Sequence, residues 1–174
     1  QYADLPKQRV LVSGSTGLIG LQLCAFLQAA GHEVVRLTRP STVLPPDVTD
    51  QPCVVWDDQT GEVLEGSLEG FDTVIHLAGA GIGDKRWNAE RKALIRSSRT
   101  VPTENLVRLF STLETPPKTF LSGSAVGYYG NRGDEQLTES SPAGDGFLAQ
   151  LAQDWEAAAA PAQGLVGPRV RRPR

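Results

Sequence analysis

Three glycines spaced three residues apart, Gly14, Gly17 and Gly20, restrict the fold of this chain more than any other feature. The apolar residues 9–13 before them have the composition of a buried strand, and the residues after them have a helical period. In a strand–turn–helix unit, the first glycine allows the tight turn, the second lets the backbone approach a pyrophosphate, and the third lets the helix pack closely. A plain glycine-rich turn is the alternative, but the flanking elements favour a dinucleotide-binding loop.

The helix after this loop should begin with free N–H groups and a partial positive charge of roughly half an elementary charge. Such a helix start binds anions without a basic side chain. We expect this helix over residues 16–30, ending at Gly31. Its inward apolar residues should be Leu18, Ile19, Leu23, Phe26 and Leu27.

The second strand, predicted over residues 33–38, ends at a position that is informative about the cofactor. In this kind of fold the residue there contacts the adenosine ribose, and an acid would favour NAD. Here Thr38 and Arg39 offer a hydroxyl and a guanidinium, which suit the 2′-phosphate of NADP. The alternative is that Arg39 is only a solvated residue before Pro40. The sequence therefore predicts NADP, with NAD less favoured.

The remaining elements predict a three-layer α/β/α Rossmann-type, doubly wound and mainly parallel sheet, with strand order 3-2-1-4-5. A third strand at 53–56 could continue through a turn at 57–61, where Asp57 and Asp58 are expected to form the turn rather than an acid/base pair. His76, inside the apolar strand 71–79, should be a hydrogen-bonded core residue rather than a proton shuttle.

A long helix is expected over 88–111, and a fifth strand over 116–122. Asn88 is the expected N-cap, and Pro102 should kink or break the helix between 99 and 103. The inward residues should be Leu94, Leu106, Val107 and Phe110.

Composition excludes several classes of protein. The 174 residues are 40% hydrophobic and 21% charged, which is enough for one domain with a real core. No apolar run approaches the ~20 residues that span a bilayer, and the formal net charge of −3 argues against a nucleic-acid partner. Cys24 and Cys53 have no partners at metal-ligand spacing, so we expect no metal and no disulfide framework. They favour a reducing compartment: the cytoplasm, or an organelle stroma or matrix if a transit peptide was removed.

Several segments together resemble one protein family. The chain is similar, over about residues 8–159, to the epimerase-like branch of the extended short-chain dehydrogenase/reductases. Members of this branch are labelled NAD(P)-dependent nucleotide-sugar epimerases. The glycine triplet marks the superfamily, whereas the segments 85–87 and 125–130 point to this branch. The segments that carry the resemblance are 13–20, 76–82, Lys85-Arg86-Trp87, Ser98-Arg99, 122–130 and Trp155-Glu156.

This resemblance implies a set of cofactor-binding residues. The pyrophosphate would be held by Gly14, Ser15, Thr16, Gly17, Leu18 and Ile19. Thr38 and Arg39 would hold the adenosine end, and Leu77, Ala78 and Gly79 would line the path to the nicotinamide.

The resemblance also implies a catalytic serine, here Ser124, and a tyrosine with a lysine four residues later. The segment that should carry this pair has Phe147 and Leu151 instead, so both ionisable groups are missing. Tyr128 and Tyr129 could supply a phenol from another direction, or could be pocket wall. Two functions stay open: an NADP-dependent oxidoreductase or epimerase acting on a small hydroxylated substrate such as a nucleotide sugar, or a non-catalytic NADP(H)-binding or sensing protein.

The chain divides into an N-terminal extension (1–8), the NAD(P)-binding domain (9–160) and an atypical tail (161–174). Four arginines and a proline among the last six residues predict a disordered end where the family continues into a further strand and a substrate domain. A basic nucleic-acid-binding arm is the alternative. The sequence does not predict the oligomeric state, and the expected partner is a small-molecule substrate.

Overall fold

Alternating strands and helices build one mixed sheet in the computed structural model, which describes residues 6–166 and 169–171. The elements are β1 (Arg9–Ser13), α1 (Leu18–Ala29), β2 (Glu33–Thr38), β3 (Cys53–Trp56), β4 (Val63–Glu65), β5 (Thr73–His76), α2 (Ala89–Phe110), β6 (Thr119–Ser122), α3 (Phe147–Ala159) and β7 (Arg169–Arg171). Short 3-10 helices lie at Pro46–Val48, Val126–Tyr129 and Ala160–Gly164.

The sheet has the order β4-β3-β2-β1-β5-β6-β7, and every pairing is parallel except that of β4 with β3. The central five strands, β3-β2-β1-β5-β6, confirm the predicted order 3-2-1-4-5. Leu11 of β1 lies opposite Val35 of β2 and Val74 of β5. Because the strand order reverses between β1 and β5, a crevice forms at the carboxyl ends of these strands.

Two apolar layers cover the two faces of the sheet, as the three-layer prediction requires. Along β1, Leu11 joins the larger core, whereas Val10 and Val12 join the smaller one, because successive side chains of a strand point to opposite faces. Residues of α2 and α3 complete the larger core, among them Phe110 and Ala159. Cys24, Leu23 and Leu27 of α1 complete the smaller one.

The predicted inward face of α1 is partly wrong. Leu18 is 88% exposed, and Ile19 and Phe26 are also largely exposed. The fully buried positions of α1 are instead Gly20 and Cys24, one turn apart. A Cβ on Gly20 would overlap the carbonyl oxygen of Gly14. Small residues therefore set the contact line of this helix, and the larger side chains on its other sides are left outside.

The long helix α2 forms without the expected break at Pro102. Asn88 is the N-cap as predicted, since its side chain accepts a hydrogen bond from the Arg91 N–H at 2.7 Å. Pro102 is buried within a continuous helix, and the Thr103 hydroxyl donates to the Arg99 carbonyl at 2.6 Å. The Trp155 indole N–H of α3 donates to the Thr103 hydroxyl at 3.1 Å, and this tertiary contact helps to offset the bond that proline removes. Leu94, expected inward, is 49% exposed.

The end of the chain differs from the disordered tail expected over 161–174. A 3-10 helix covers Ala160–Gly164, and β7 pairs in parallel with β6, with Arg169 opposite Thr119. The open edge of β6 presents unpaired N–H and C=O groups, which β7 satisfies. Residues 1–5, which belong to the predicted N-terminal extension, and the tail positions 167–168 and 172–174 lie outside the described residues.

None of the helices in the described part of the chain has the length and apolar character needed to cross a membrane.

Candidate dinucleotide-binding site

A cleft with a volume of about 400 Å³ lies at the carboxyl ends of β1, β2 and β5. It is lined by the glycine loop after β1, the end of β2, the end of β3, the turn after β5 and residues of α2. Of the residues predicted to bind the cofactor, the cleft is lined by Gly14, Ser15, Thr16, Gly17, Thr38, Arg39, Leu77, Ala78 and Gly79. Leu18 and Ile19 are not among the lining residues; they begin α1 and are largely exposed.

Glycine is favoured at the three positions for different structural reasons. Gly14 has a φ of +67°, and a Cβ there would lie 2.7 Å from the carbonyl carbon of Leu77. Gly20, as described above, allows close packing of α1 on the loop. A Cβ at Gly17 would meet only the Gly14 carbonyl oxygen, at 3.3 Å. This contact is tight but not prohibitive, and close approach of a ligand backbone or phosphate is a further reason for glycine there.

Ser15 and the start of α1 are suited to an anion. Ser15 is 1% exposed, and its hydroxyl is buried without a hydrogen-bond partner among the described residues, although the residue lines the cleft. Gly17 is the N-cap of α1 and provides no side-chain cap, so the first N–H groups of the helix are not satisfied by a side chain. An unpaired buried hydroxyl costs roughly 1–3 kcal/mol, and a phosphate oxygen would remove this cost. These residues therefore fit the pyrophosphate of a dinucleotide.

The wall of the cleft at the ends of β2 and β3 holds a cation and an acid. Arg39 keeps 59% of its side chain exposed, and its Nη1 lies 3.8 Å from Oδ2 of Asp58, which also lines the cleft. Asp57 forms the turn as predicted, since Oδ1 accepts the N–H groups of Gln59 and Thr60. Asp58 has a second role that sequence spacing did not indicate: its carboxylate holds Arg39 at the cleft wall and adds negative charge beside it.

The turn after β5 is fixed by α2. The Ala80 N–H donates to the Ser98 hydroxyl at 3.0 Å, and Arg99 Nη1 donates to the Ala80 carbonyl at 3.0 Å. The Arg99 guanidinium also lies over the Trp155 ring, 5.3 Å from its centroid, and burial lowers the pKa of Arg99. The turn after β5 is therefore preorganised rather than a free loop.

Ser124 has a partner that the sequence did not predict. Its hydroxyl donates to Oε1 of Glu156 on α3 at 2.7 Å, and Glu156 is only 7% exposed. Ser124 follows β6, and neither residue is among those lining the cleft. An acid on the otherwise alanine-rich end of α3 was the available signal for Glu156.

The two tyrosines lie in the 3-10 helix after Ser124. Tyr129 is buried, whereas Tyr128 is half-buried, and their rings pack edge to face with centroids 5.2 Å apart. In this arrangement the two tyrosines could form part of a pocket wall or could supply a phenol as a proton donor, so their catalytic role stays a prediction.

The positions of the missing Tyr/Lys pair are occupied by packing residues. Phe147, at the start of α3, packs edge-on against Trp87 with centroids 5.4 Å apart, and Leu151 is 5% exposed. Neither side chain can donate, accept or stabilise a proton.

His76 is a core residue, as expected. It is 0% exposed, and Nδ1 lies 2.6 Å from the Ser13 hydroxyl oxygen, which also accepts the Leu77 N–H. Burial lowers the pKa of His76 to about 4, so the ring is neutral at physiological pH.

No group of three or more histidine, cysteine or acidic side chains is arranged to hold a metal ion within the described residues.

Known proteins share this sequence and fold. The model of the NAD dependent epimerase/dehydratase family matches residues 10–164. An epimerase family protein of Mycobacterium leprae is 40% identical over 164 residues, which are 94% of this chain and 50% of that protein. The chain spans about half the length of the curated relatives it matches.

Two solved structures are similar to the chain at more than 30% identity. The nucleoside-diphosphate sugar epimerase from Corynebacterium glutamicum is 40% identical with a TM-score of 0.73, over 92% of this chain and 32% of that one. The human epimerase family protein SDR39U1, solved with NADPH, is 33% identical with a TM-score of 0.70, over 87% of this chain and 48% of that one.

Proposed function

Because the chain belongs to the NAD dependent epimerase/dehydratase family, we propose that it binds NADP(H) in the cleft described above. It would do so as part of an oxidoreductase or epimerase that acts on a small hydroxylated substrate. The observation that carries this proposal is the uncapped start of α1 at Gly17 in the wall of the cleft, beside the Ser15 hydroxyl, which is buried without a partner among the described residues. Both features are explained by a phosphate bound at the start of α1.

Each segment of the cleft would have one task. The N–H groups at the start of α1 and the Ser15 hydroxyl would hold the pyrophosphate. Arg39 would pair with the 2′-phosphate, which supports NADP over NAD, and the human relative was solved with NADPH. The turn from Leu77 to Gly79, fixed by α2, would set the position of the nicotinamide. When bound, the cofactor would accept or deliver the hydride.

The substrate end would be served by Ser124. Its hydroxyl, which donates to Glu156 in the structure, would hydrogen-bond a substrate hydroxyl or carbonyl, and Tyr128 or Tyr129 would supply a further phenol. A nucleotide sugar is the substrate class we favour, because the relative from Corynebacterium glutamicum is named a nucleoside-diphosphate sugar epimerase. Since both cysteines are free, we also propose a reducing compartment, either the cytoplasm or an organelle stroma or matrix.

A non-catalytic NADP(H)-binding or sensing protein is the second candidate. Phe147 and Leu151 favour it, because the positions of the usual proton donor and its activating lysine are filled by an aromatic contact and a core residue. Both candidates require the cofactor, so they differ only in turnover.

The test is a titration of the protein with NADPH and NADH, followed by the fluorescence of the reduced nicotinamide. We expect tighter binding of NADPH, and binding of neither would refute the proposal. Nucleotide sugars are then added to the NADP⁺ complex. A rise in absorbance at 340 nm, as a sugar hydroxyl is oxidised and NADP⁺ is reduced, or formation of the epimer of the sugar supports the enzyme. A change in the fluorescence of the NADPH complex on addition of the sugar, with neither reaction, supports the sensing protein.

A further inference from the structure

Arg36 of β2 is a buried cation that no carboxylate neutralises within the described part of the chain. It is 1% exposed and is among the largest fully buried side chains. Its Nη1 donates to the Ser15 carbonyl at 2.7 Å, and its Nε donates to Oε1 of Gln51 at 3.1 Å. Both partners are neutral. A guanidinium stays protonated in proteins, so its charge persists in a low-dielectric environment, where charges act over longer distances.

The position of this charge connects it to the glycine loop. Arg36 lies opposite Val12 of β1, directly before the turn at Gly14. The Ser15 carbonyl accepts from the buried guanidinium, and Ser15 is also one of the residues that line the cleft. Ser15 thus lies between a buried cation and the candidate anion site.

We propose that Arg36 is a positioning residue of the phosphate subsite and its buried counter-charge. Through the Ser15 carbonyl it fixes the orientation of the loop, and its positive charge attracts the pyrophosphate from behind the loop without contacting it. The inference rests on the proposed function and deepens it: the subsite selects anionic ligands, and the missing carboxylate partner of Arg36 is supplied by the ligand.

The substitution Gln51→Glu tests this charge without removing any contact of Arg36. A carboxylate at this position would lie at the distance of the present amide oxygen, about 3 Å from Nε, and would neutralise the guanidinium in place. We expect the NADPH dissociation constant to rise by on the order of 10-fold or more, while stability towards urea is unchanged or higher. A merely structural role for Arg36 would leave NADPH affinity unchanged when its hydrogen bonds improve.

Two further sets of variants control the result. Gln22→Glu adds the same charge on the exposed side of α1 and should change NADPH affinity by less than about 3-fold, because solvent screens it. Arg36→Lys, which keeps a charge, should bind NADPH more tightly than Arg36→Met, which keeps only the chain length. If Arg36→Met does not fold, the NADPH affinities of Gln51→Glu and Arg36→Lys still test the proposed role of Arg36. Binding by Gln51→Glu within 3-fold of the parent would overturn the proposal.

Inorganic pyrophosphate separates this inference from the proposed function. If the parent binds NADPH and all variants bind it equally, the proposed function stands and the role of Arg36 is refuted. If the parent does not bind NADPH, but pyrophosphate raises its melting temperature more than that of Gln51→Glu, the role of Arg36 stands and the cofactor assignment fails. If the parent binds neither probe, both are refuted.

Discussion

Acidification from pH 7 to pH 5 should lower the free energy of unfolding of this protein by about 2 kcal/mol through one side chain, His76. The ring is 0% exposed, and the Ser13 hydroxyl lies 2.6 Å from its Nδ1, so burial holds it neutral in the folded protein. Burial lowers the pKa of His76 from 6.5 to about 4. As pH falls below 6.5, His76 therefore becomes protonated in the unfolded chain but not in the folded protein. The free energy of unfolding decreases until pH reaches about 4, where the folded protein also binds the proton.

The magnitude follows from the two pKa values. A difference of about 2.5 units corresponds to about 3 kcal/mol over the whole range, at about 1.4 kcal/mol per unit. Between pH 7 and pH 5 the unfolded chain becomes almost fully protonated at this position, which accounts for about 2 kcal/mol. Glu69 and Asp72 do not contribute there, because hydrogen bonds lower the pKa of both carboxyl groups and their effect begins at more acidic pH.

Urea unfolding of the cofactor-free protein at pH 7, 6 and 5 measures this effect. His76→Gln should be less stable at pH 7 but should lose much less stability on acidification. His32→Gln, which removes the other histidine of the chain, should keep the dependence of the parent. A parent with equal unfolding free energies at pH 7 and pH 5, or a His76→Gln variant with the same pH dependence as the parent, would refute the reasoning.

The remaining predictions concern the cleft. Gly17→Val should fold, as measured by circular dichroism, but should lose NADPH binding, and normal NADPH affinity in the folded variant would mean that the phosphate site lies elsewhere. Gly20→Ala should lose roughly 1–3 kcal/mol of stability, because its Cβ would overlap backbone atoms of the glycine loop. Arg39→Ala should weaken NADPH binding by roughly 10- to 100-fold and leave NADH binding unchanged. Asp58→Asn should increase the preference for NADPH over NADH. Equal affinities of the parent protein for the two cofactors would contradict both expectations. Turnover by this chain should fall below the usual enzyme range of about 1–1,000 per second. Ser124→Ala should abolish the residual turnover without changing NADPH affinity. Turnover that survives this substitution would mean that the catalytic site has been assigned to the wrong residues.

Local pattern was sufficient for the elements that form the cleft. The glycine spacing, the apolar run before it and the strand at 33–38 are features of neighbouring residues, and β1, β2 and β3 have the bounds that were predicted. The face of α1 was not predictable in the same way. Its period allowed Leu18 and Phe26 to point inward, but the overlap that a Cβ at Gly20 would make with the loop decides which side packs.

Contacts between distant segments could not be predicted from spacing. Arg39 and Asp58 come from the ends of two different strands, and Ser124 and Glu156 are separated by 32 positions. Only the folded sheet brings each pair together, so the sequence predicts Asp58 only as a turn residue. A motif indicates the residues that would contact a ligand, but it does not indicate the residues that hold their side chains in place.

The packing of α3 decides where proton chemistry is possible in this chain. Leu151 is buried at 5% exposure, so a lysine there would place a charge in the core, at a cost of several kcal/mol unless it were paired. Phe147 is held edge-on by Trp87, with the Lys92 ammonium 5.4 Å from its ring centroid. Both positions are thus integrated into packing that a Tyr/Lys pair would disturb. Any proton transfer by this chain must therefore use other groups, and the Ser124–Glu156 pair is the hydrogen-bonded hydroxyl and carboxylate that the fold supplies after β6.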